Sequence, residues 1–484
     1  MESLQGAGAI AAETSIANRE IFTLSYCTAR NIGIGSYVLR LGQRVIQQRD
    51  APIILTGYVA LNKLLGTTVY ESNLQLGGPE VMGGNGVSHM LVKDDLEAVH
   101  RIVQWLGFVP VKVGAPLPII KITDPIERTV EYLPEKGIPY DPRLLLTGGL
   151  KDGVYKSGLL DRDSFVETLS DWAKTVVIGR GRLGGMPIGC IVTENRLVEK
   201  AILADPANLE SKPQVQMQAG QVWFPDSAYK TAQAIQDFNS GEGLPLLILA
   251  NWRGFSGGRK DMFEEVLKFG SFIVDQLTQF RQPISVYIPP FCEIRGGAWV
   301  VIDSKINPAF MEMYASETAR GGVLEPAGIA EIKFRKPDVL KAMTRIDKQL
   351  QWMSMNEATG VVRAEDIEQR KTELLPYYQP LGELISDLHD RPERMLAKVR
   401  QLPASTYVLV RASRALGPCI ALWLCRQATE NAHAFPLPSL RASFAPSSRG
   451  TTHAPSSIGA CAAACERRNS SVSSKRLRRL RVRR

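Results

Sequence analysis

The sequence lacks the features that mark several classes of protein. It has no stretch of about 18 uninterrupted apolar residues, and its start, MESLQGAGAIAAETS, has no basic segment followed by an apolar run. The seven cysteines include no C-x-x-C pair, which argues against a zinc ribbon or other metal site and is typical of reduced thiols. We therefore expect no membrane span and no secretion. The length of 484 residues predicts two or three globular domains.

Most of the chain also lacks a net positive charge, although the whole has a net charge of +9. Residues 405–484 contain 14 Lys and Arg against 2 Asp and Glu, so their net charge of +12 leaves the rest mildly acidic. The excess ends in SSVSSKRLRRLRVRR, after a stretch rich in Ala, Ser and Pro. We expect a disordered basic tail and no nucleic-acid partner, with phosphates or acidic lipid heads as the alternative.

Two segments of the chain share one pattern. In the first, IFTLSY precedes CTARNIGIGSYVLRLGQRV; in the second, ISVYIP precedes PFCEIRGGAWVVIDSKIN. Each has a strand-like run, a connector with an arginine, a glycine turn that ends in an aromatic residue, and an apolar run compatible with a helix. The pattern indicates equivalent parts of two similar halves.

A further strand, glycine turn and helix lie upstream of the second segment. PLLILA is typical of a buried strand, and DMFEEVLKFGSFIVDQLTQF has apolar residues near helical spacing. The repeated order predicts an α/β architecture. Residues 112–150 are rich in proline and indicate a linker, and residues 204–220 indicate a surface excursion.

The glycine turns are candidate sites for negative charge. Where a strand ends in glycines and a helix begins, unpaired backbone N–H groups lie at the positive end of the helix. Two such turns could stabilise two developing negative charges, one on each reacting partner. Arg253 directly precedes the turn at Gly254, and its guanidinium suits a carboxylated substrate, with a structural salt bridge as the alternative.

The same turn also fits the G-x-S-x-G pattern of a hydrolase nucleophile elbow, with Ser256 as the nucleophile. That mechanism needs a later acidic residue and then a histidine. Of the three downstream histidines, His433 and His453 lie in the tail and only His389 lies in the body. The short supply of bases makes the serine hydrolase the weaker hypothesis.

Several long blocks of the sequence resemble, in order, the carboxyltransferase region of eukaryotic multidomain acetyl-CoA carboxylase. They cover residues 5–398. The blocks are GAGAIAAETS, RNIGIGSYVLRLGQRVIQ, PIILTGYVALNKLLG, NLQLGGPEVMGGNGVSH, VWFPDSAYKTAQAIQDFN, LANWRGFSGGRKDMFEEVLKFGSFIVDQL, RGGAWVVIDSKIN and ARGGVLEPAGIAEIKFR.

The resemblance implies two crotonase-like ββα-superhelix halves of the ClpP/crotonase type, with the N half incomplete at its start. We expect the N half at residues 1–128, the C half at 129–402 and the basic tail at 403–484. The implied reaction is carboxyl transfer from carboxybiotin to acetyl-CoA, giving malonyl-CoA in fatty acid biosynthesis. Biotin would be carried on a separate domain, and the partners would be a second copy of the chain and the biotin carboxyl carrier and biotin carboxylase regions.

The resemblance also assigns roles to residues of the glycine turns. Backbone amides at Ile34 and Gly35, and at Gly297 and Ala298, would stabilise the enolate of the acyl thioester and the ureido oxygen of biotin. Arg253 would bind the malonyl carboxylate. The substrate and inhibitor pocket would contain Leu61, Trp223, Trp252, Gly254, Val266, Asp303 and Gly321.

Some features depart from the family pattern. Thr67 and Thr68 in LGTTVY replace the Arg-Glu of LGREVY, the N half begins late, and no Met-Lys-Met biotinylation site is present. Two alternatives therefore stay open: an inactive module for CoA binding or dimerisation, and a carboxyltransferase for another acyl-CoA. The implied compartment is the cytoplasm or the plastid.

Overall fold

The computed structural model describes residues 4–121, 124–125, 128–394 and 410–412. Most of the predicted tail, 403–484, lies outside the described residues, and its described part is the strand Val410–Ala412. Among the described residues no helix is long and apolar enough to cross a membrane. The cysteines at positions 27, 190 and 292 are buried and unpaired.

The first part of the chain contains a small parallel sheet. Its helices are α1 Leu4–Glu20, α2 Ile34–Leu41, α3 Tyr58–Leu65, α4 Leu74–Gly77, α5 Pro79–Gly84 and α6 Asp95–Leu106. Its strands are β1 Leu24–Cys27, β2 Asn31–Ile32, β3 Arg44–Gln48, β4 Ile53–Ile54 and β5 Met90–Val92. The sheet has the order β1-β3-β5, with Leu24 opposite Arg44 and Ile46 opposite Met90.

The second part begins after residues 107–142, whose described residues form neither helix nor strand. The linker predicted over residues 112–150 is therefore confirmed up to residue 142 and wrong beyond it, because a helix over Arg143–Thr147 and a strand from Gly148 occupy its last eight residues. The predicted boundary between residues 128 and 129 falls in this segment. The helices of the second part are α7 Arg143–Thr147, α8 Pro225–Asn239, α9 Arg259–Phe263, α10 Val266–Gln279, α11 Gly296–Val301, α12 Pro326–Lys333, α13 Lys336–Ile346, α14 Lys348–Asn356 and α15 Ala364–His389. A short 3-10 helix covers Ser304–Ile306.

A seven-stranded sheet is the centre of the second part. Its strands and their smaller neighbours are β6 Gly148–Lys151, β7 Val154–Ser157, β8 Val166–Thr168, β9 Val176–Leu183, β10 Met186–Thr193, β11 Val198–Ile202, β12 Gln214–Gln218, β13 Val222–Trp223, β14 Leu246–Leu249, β15 Gly254–Phe255, β16 Ile284–Ile288, β17 Glu293–Arg295, β18 Met311–Ser316, β19 Arg320–Gly322 and β20 Val410–Ala412. The order is β20-β18-β16-β14-β10-β9-β8, parallel from β20 to β10.

Both faces of the large sheet are buried, which explains the continuous apolar run of β14. Leu246 and Ile248 point into a core formed with α8 and α10, whereas Leu247 and Leu249 point into a second core on the other face. The exposed hairpin of β11 and β12 is the predicted surface excursion, and Leu209 at its tip is 98% exposed.

The internal repeat predicted from the sequence is confirmed by the topology. After β1 the chain forms β2, a glycine turn and α2, and it returns as β3 beside β1; β2 then pairs with β4. After β16 it forms β17, a glycine turn and α11, and it returns as β18 beside β16; β17 then pairs with β19. This repeated unit of a sheet strand, a small strand and a helix is the ββα superhelix that we expected.

One predicted helix is interrupted. The segment from Asp261 to Phe280 forms α9 and α10, because Glu265 adopts a left-handed conformation with φ 71°. The break changes which side chains face the core. Phe263 before it is 88% exposed, whereas Val266 after it is 1% exposed.

A buried ion-pair network joins the two parts of the chain. The Glu242 carboxylate accepts hydrogen bonds from Arg44 Nε at 2.5 Å and from Arg180 Nε and Nη2, both at 2.6 Å. Arg44 begins β3 in the first part, and Glu242 follows α8 in the second. All three side chains have at most 2% of their surface exposed, so a single carboxylate faces two guanidinium groups inside the protein.

Candidate active site

A stack of aromatic rings supports the turn that follows β14. Trp223 and Trp252 are fully buried, with ring centroids 4.0 Å apart and an interplanar angle of 16°. Phe255 also stacks on Trp223, with ring centroids 4.9 Å apart. Because β13 and β15 pair, Val222 lies beside Gly254, and the stack fixes the turn that carries Arg253.

The Arg253 guanidinium is held at Nε, and its terminal nitrogens are open to a ligand. Its Nε donates to Glu293 Oε1 at 2.7 Å, and its backbone N–H donates to Gln221 O at 2.8 Å. Half of the side chain, 52%, is exposed. Among the described residues, none accepts a hydrogen bond from its Nη1 or Nη2. This pair of nitrogens can therefore receive a carboxylate in a bidentate fork.

The second glycine turn lies against the first. The backbone N–H of Arg295 donates to Trp252 O at 2.9 Å, directly before α11 begins at Gly296 with φ 47°. Gly297 and Ala298 belong to the first turn of α11, whose N–H groups have no partner within the helix. A Cβ at Gly297 would meet only the Phe255 ring, at 3.8 Å, so little from outside its own helix packs against the Cα of this residue.

The equivalent turn of the first part has the same construction. Gly33 has φ 63° and its N–H donates to Ile54 O at 2.9 Å, and α2 begins at Ile34, which is 51% exposed. Gly35 is packed tightly, because a Cβ there would lie 2.2 Å from Asn31 Oδ1. A side chain at position 35 would therefore displace Asn31 from the turn.

The structure brings together the predicted residues of the second part. Arg253 and Gly254 adjoin Gly297 and Ala298 through the hydrogen bond between the two turns. Nearby, Gly321 lies in β19 opposite Ile294 of β17. Two other predicted pocket residues have local roles: Val266 begins α10, and the Asp303 carboxylate accepts from Trp299 Nε1 at 2.8 Å.

The predicted residues of the first part form a separate group. Ile34 and Gly35 lie in the α2 turn, and Leu61 is half-buried in α3. Thr67 and Thr68, just beyond α3, are both exposed. Within the described chain no hydrogen bond or ion pair connects this group with the turns at Arg253 and Gly297.

Sequence reasoning missed three charged residues beside the site. Glu293 and Arg295 directly precede the second glycine turn, where the sequence EIRGG could have indicated them. Asp390 follows α15, about a hundred residues later, and nothing local connects it with the turn. Burial by itself would lower the pKa of Arg295, but the hydrogen bond to Asp390 and the charge of Glu293 outweigh it and raise that pKa.

Ser256 has the surroundings of a structural residue. Its hydroxyl donates to the Asp261 carboxylate, and its N–H donates to Trp223 O at 2.8 Å. No histidine of the described residues forms a hydrogen bond with it. In the same part of the chain no group of three or more His, Cys, Asp or Glu side chains could hold a metal ion. The geometry thus gives no support to the hydrolase hypothesis.

Comparison with known proteins identifies the family. The model of the carboxyl transferase domain matches residues 1–409. The chain belongs to the carboxyl transferase family. It is 54% identical over 414 residues to acetyl-CoA carboxylase of Dictyostelium discoideum and 52% identical over 409 residues to acetyl-CoA carboxylase 2 of Arabidopsis thaliana. Each alignment covers 82% of this chain, which spans less than a fifth, 18% and 17%, of those relatives.

A solved structure has the same fold. A crystal structure of transcarboxylase 12S with methylmalonyl-coenzyme A and methylmalonic acid bound matches with a TM-score of 0.63. The alignment covers 93% of this chain and 71% of that one, at 15% identity. The predicted family and the predicted crotonase-like α/β architecture are thus confirmed for this carboxyl transferase domain.

Proposed function

We propose that the chain transfers a carboxyl group between carboxybiotin and acetyl-CoA, with malonyl-CoA as the carboxylated product. The observation that carries the proposal is the open end of Arg253 beside the amide turn at Gly297. A carboxylate bound by this guanidinium would lie next to N–H groups that stabilise developing negative charge. Relatives named acetyl-CoA carboxylase, at about half identity, support acetyl-CoA as the acceptor.

The surroundings of Gly297 fit biotin. A Cβ at Gly297 would meet only the Phe255 ring, at 3.8 Å, and an aromatic ring at this place suits contact with a flat ring. Biotin supplies the carboxyl group when it is bound, on a carrier domain separate from this chain. The amides of Gly297 and Ala298 would hold its ureido oxygen. No side chain is required as a nucleophile, so the protein contributes position and electrostatics.

The first part of the chain would stabilise the acyl partner. The amides of Ile34 and Gly35, at the positive end of α2, would bind the thioester oxygen as the enolate forms. Since the two groups are not connected within one chain, we propose a homodimer in which each site combines Ile34 and Gly35 of one subunit with Arg253 of the other. The biotin carboxyl carrier and biotin carboxylase regions would be the further partners, in the cytoplasm or the plastid.

The test is the reverse reaction of the purified chain. Malonyl-CoA and biocytin are supplied, and the release of acetyl-CoA is followed with and without biocytin. Arg253→Ser should reduce biocytin-dependent release by about a hundredfold, because it removes the carboxylate fork. Arg259→Ser is the matched control: Arg259 is exposed six residues away, so its loss changes the net charge equally and should leave the rate unchanged.

Three results would change the proposal. Equal losses in both variants would show that Arg253 acts only through net charge. No release from a folded dimer would favour the module for CoA binding or dimerisation. Faster turnover of methylmalonyl-CoA than of malonyl-CoA would identify another acyl-CoA as the substrate.

A further inference from the structure

We propose that Glu293 and Asp390 are positioning residues that fix the direction in which Arg253 presents its guanidinium. The inference rests on the proposed function, in which Arg253 binds the carboxylate of malonyl-CoA. It concerns four side chains that form one line, Arg253, Glu293, Arg295 and Asp390, with alternating charge. The line connects the candidate site to the end of α15.

Glu293 is shared by two arginines. Its Oε1 accepts from Arg253 Nε at 2.7 Å, and its Oε2 accepts from Arg295 Nε at 2.9 Å. Its backbone N–H donates to the buried Asn251 side chain at 3.0 Å, which fixes the residue from the main chain as well. With both oxygens engaged, the carboxylate has one orientation.

That orientation decides which edge of Arg253 is exposed. A guanidinium can form a bidentate fork through Nε and one Nη, or through its two Nη atoms. Glu293 occupies Nε, so the pair Nη1 and Nη2 is left to face a ligand. Without Glu293 the half-exposed side chain could turn about its rotatable bonds and present either edge.

Arg295 connects Glu293 to the C-terminal helices. It is 2% exposed, and its Nη1 donates to the Asp390 carboxylate and to Leu324 O at 3.0 Å. Gly322 leaves the space for this ion pair, because a Cβ there would lie 2.7 Å from Asp390 Oδ1 and 3.0 Å from Arg295 Nη1.

Asp390 is in turn fixed by the end of α15. It is the C-cap residue of that helix, and its carbonyl accepts from the N–H of Gly321 at 3.0 Å. The C-terminal helices therefore contribute to the site through Asp390, although none of their side chains contacts Arg253 by hydrogen bond in the described structure.

The experiment compares a ligand that has the carboxylate with one that lacks it. The KM of malonyl-CoA is measured in the biocytin-dependent reaction, and acetyl-CoA is measured as a competing inhibitor. Glu293→Gln should raise the malonyl-CoA KM by about 10- to 100-fold, the usual effect of losing a charged hydrogen bond, and leave the inhibition constant of acetyl-CoA unchanged. Asp390→Asn should raise the KM several-fold, because it acts through Arg295.

Asp387→Asn is the matched control. Asp387 lies on the last turn of α15 and pairs with Arg320 at 2.6 Å, so the variant removes the same charge from the same helix end without touching Arg295. We expect its malonyl-CoA KM to equal that of the unchanged chain. Melting temperatures of all variants show whether each is folded. If Glu293→Gln does not fold, Gly322→Ala is the second variant, because it disturbs the ion pair between Arg295 and Asp390.

The outcomes separate this inference from the proposed function. A Glu293→Gln chain with an unchanged malonyl-CoA KM would overturn the positioning role, while loss of activity in Arg253→Ser would still support the proposed function. A parallel rise for acetyl-CoA and malonyl-CoA, or an equal rise in Asp387→Asn, would also overturn it, because either result indicates general disturbance of the fold. Full activity of Arg253→Ser would reject the proposed function itself.

Discussion

Replacing Glu242 by glutamine should destabilise the folded protein, because this carboxylate connects the two parts of the chain. The carboxylate accepts three hydrogen bonds at 2.5–2.6 Å from two buried arginines. Neither arginine can turn toward water: Arg44 also donates to Asp237 O and Ser240 O, both at 2.7 Å, and Arg180 lies over the Trp105 ring at 4.3 Å. Glu242→Gln therefore removes the carboxylate that accepts hydrogen bonds from both buried arginines.

The expected cost is about 3–5 kcal/mol, which is typical when one partner of a buried ion pair is removed. For a folded part of roughly 400 residues, an unfolding entropy of about 2.1 cal/mol/K per residue converts this into a Tm lower by about 4–6 °C. Differential scanning calorimetry measures the shift directly.

The control for Glu242→Gln is Glu135→Gln. Glu135 pairs with Lys151 at 2.9 Å, but 57% of its side chain is exposed, so water and salt screen the pair and Tm should not change. A Glu242→Gln protein that melts at the temperature of the unchanged chain would refute the reasoning. Equal shifts in both variants would refute it too, since burial would then be irrelevant.

Three further changes test other parts of the structure. Gly86→Ala adds a Cβ 2.2 Å from the Trp172 ring at φ 78°, and we expect the free energy of unfolding to fall by about 2–5 kcal/mol, measured by thermal unfolding. Lys230→Met removes the donor from four backbone carbonyls at 2.7–3.3 Å, and Tm should fall by an amount equivalent to about 3 kcal/mol or more. Burial lowers the pKa of His89, so below about pH 6.5 the unfolded imidazole binds a proton that the folded one does not; Tm should fall with pH there, and less steeply in His89→Gln.

Each of these predictions has its own contrary result. Gly84→Ala places a Cβ in open space two residues away, so an equal loss there would contradict the packing argument. A Lys230→Met protein with an unchanged Tm would show that the four carbonyls do not depend on the ammonium. Parallel curves of Tm against pH for His89→Gln and the unchanged chain would exclude this imidazole as the source of the slope.

The sequence predicted the parts of the fold that repeat or alternate. The strand β14 and the two glycine turns could be predicted from apolar runs and glycine spacing, because these elements depend on residues close together in the chain. The break at Glu265 was not predicted, because the helical spacing of apolar residues continues across it. Only the packing shows that Phe263 and Val266 need different faces.

The sequence predicts the residues of the candidate site that adjoin the glycine turns, but not the ion pairs that hold them. Arg253 and the amides near Gly297 are adjacent to glycine motifs, so the sequence and the family pattern together indicate them. The ion pair between Arg295 and Asp390 joins residues 95 positions apart, and no pattern in either segment predicts its partner. Long-range ion pairs depend on the tertiary fold, so the charges that orient a predicted residue are the last part of a site to be found.

The line of alternating charges that contains Arg253 has no net charge, which affects how strongly it would bind a carboxylate. The two arginines of this line, Arg253 and Arg295, pair with two carboxylates, Glu293 and Asp390. No excess positive charge is therefore left to attract an anionic ligand. Binding the malonyl carboxylate equally well in the ground state and in the transition state would lower KM without raising the turnover rate. Under the proposed function, Glu293 thus aims Arg253 at the carboxylate, and the catalytic stabilisation is left to the amides, where the negative charge develops.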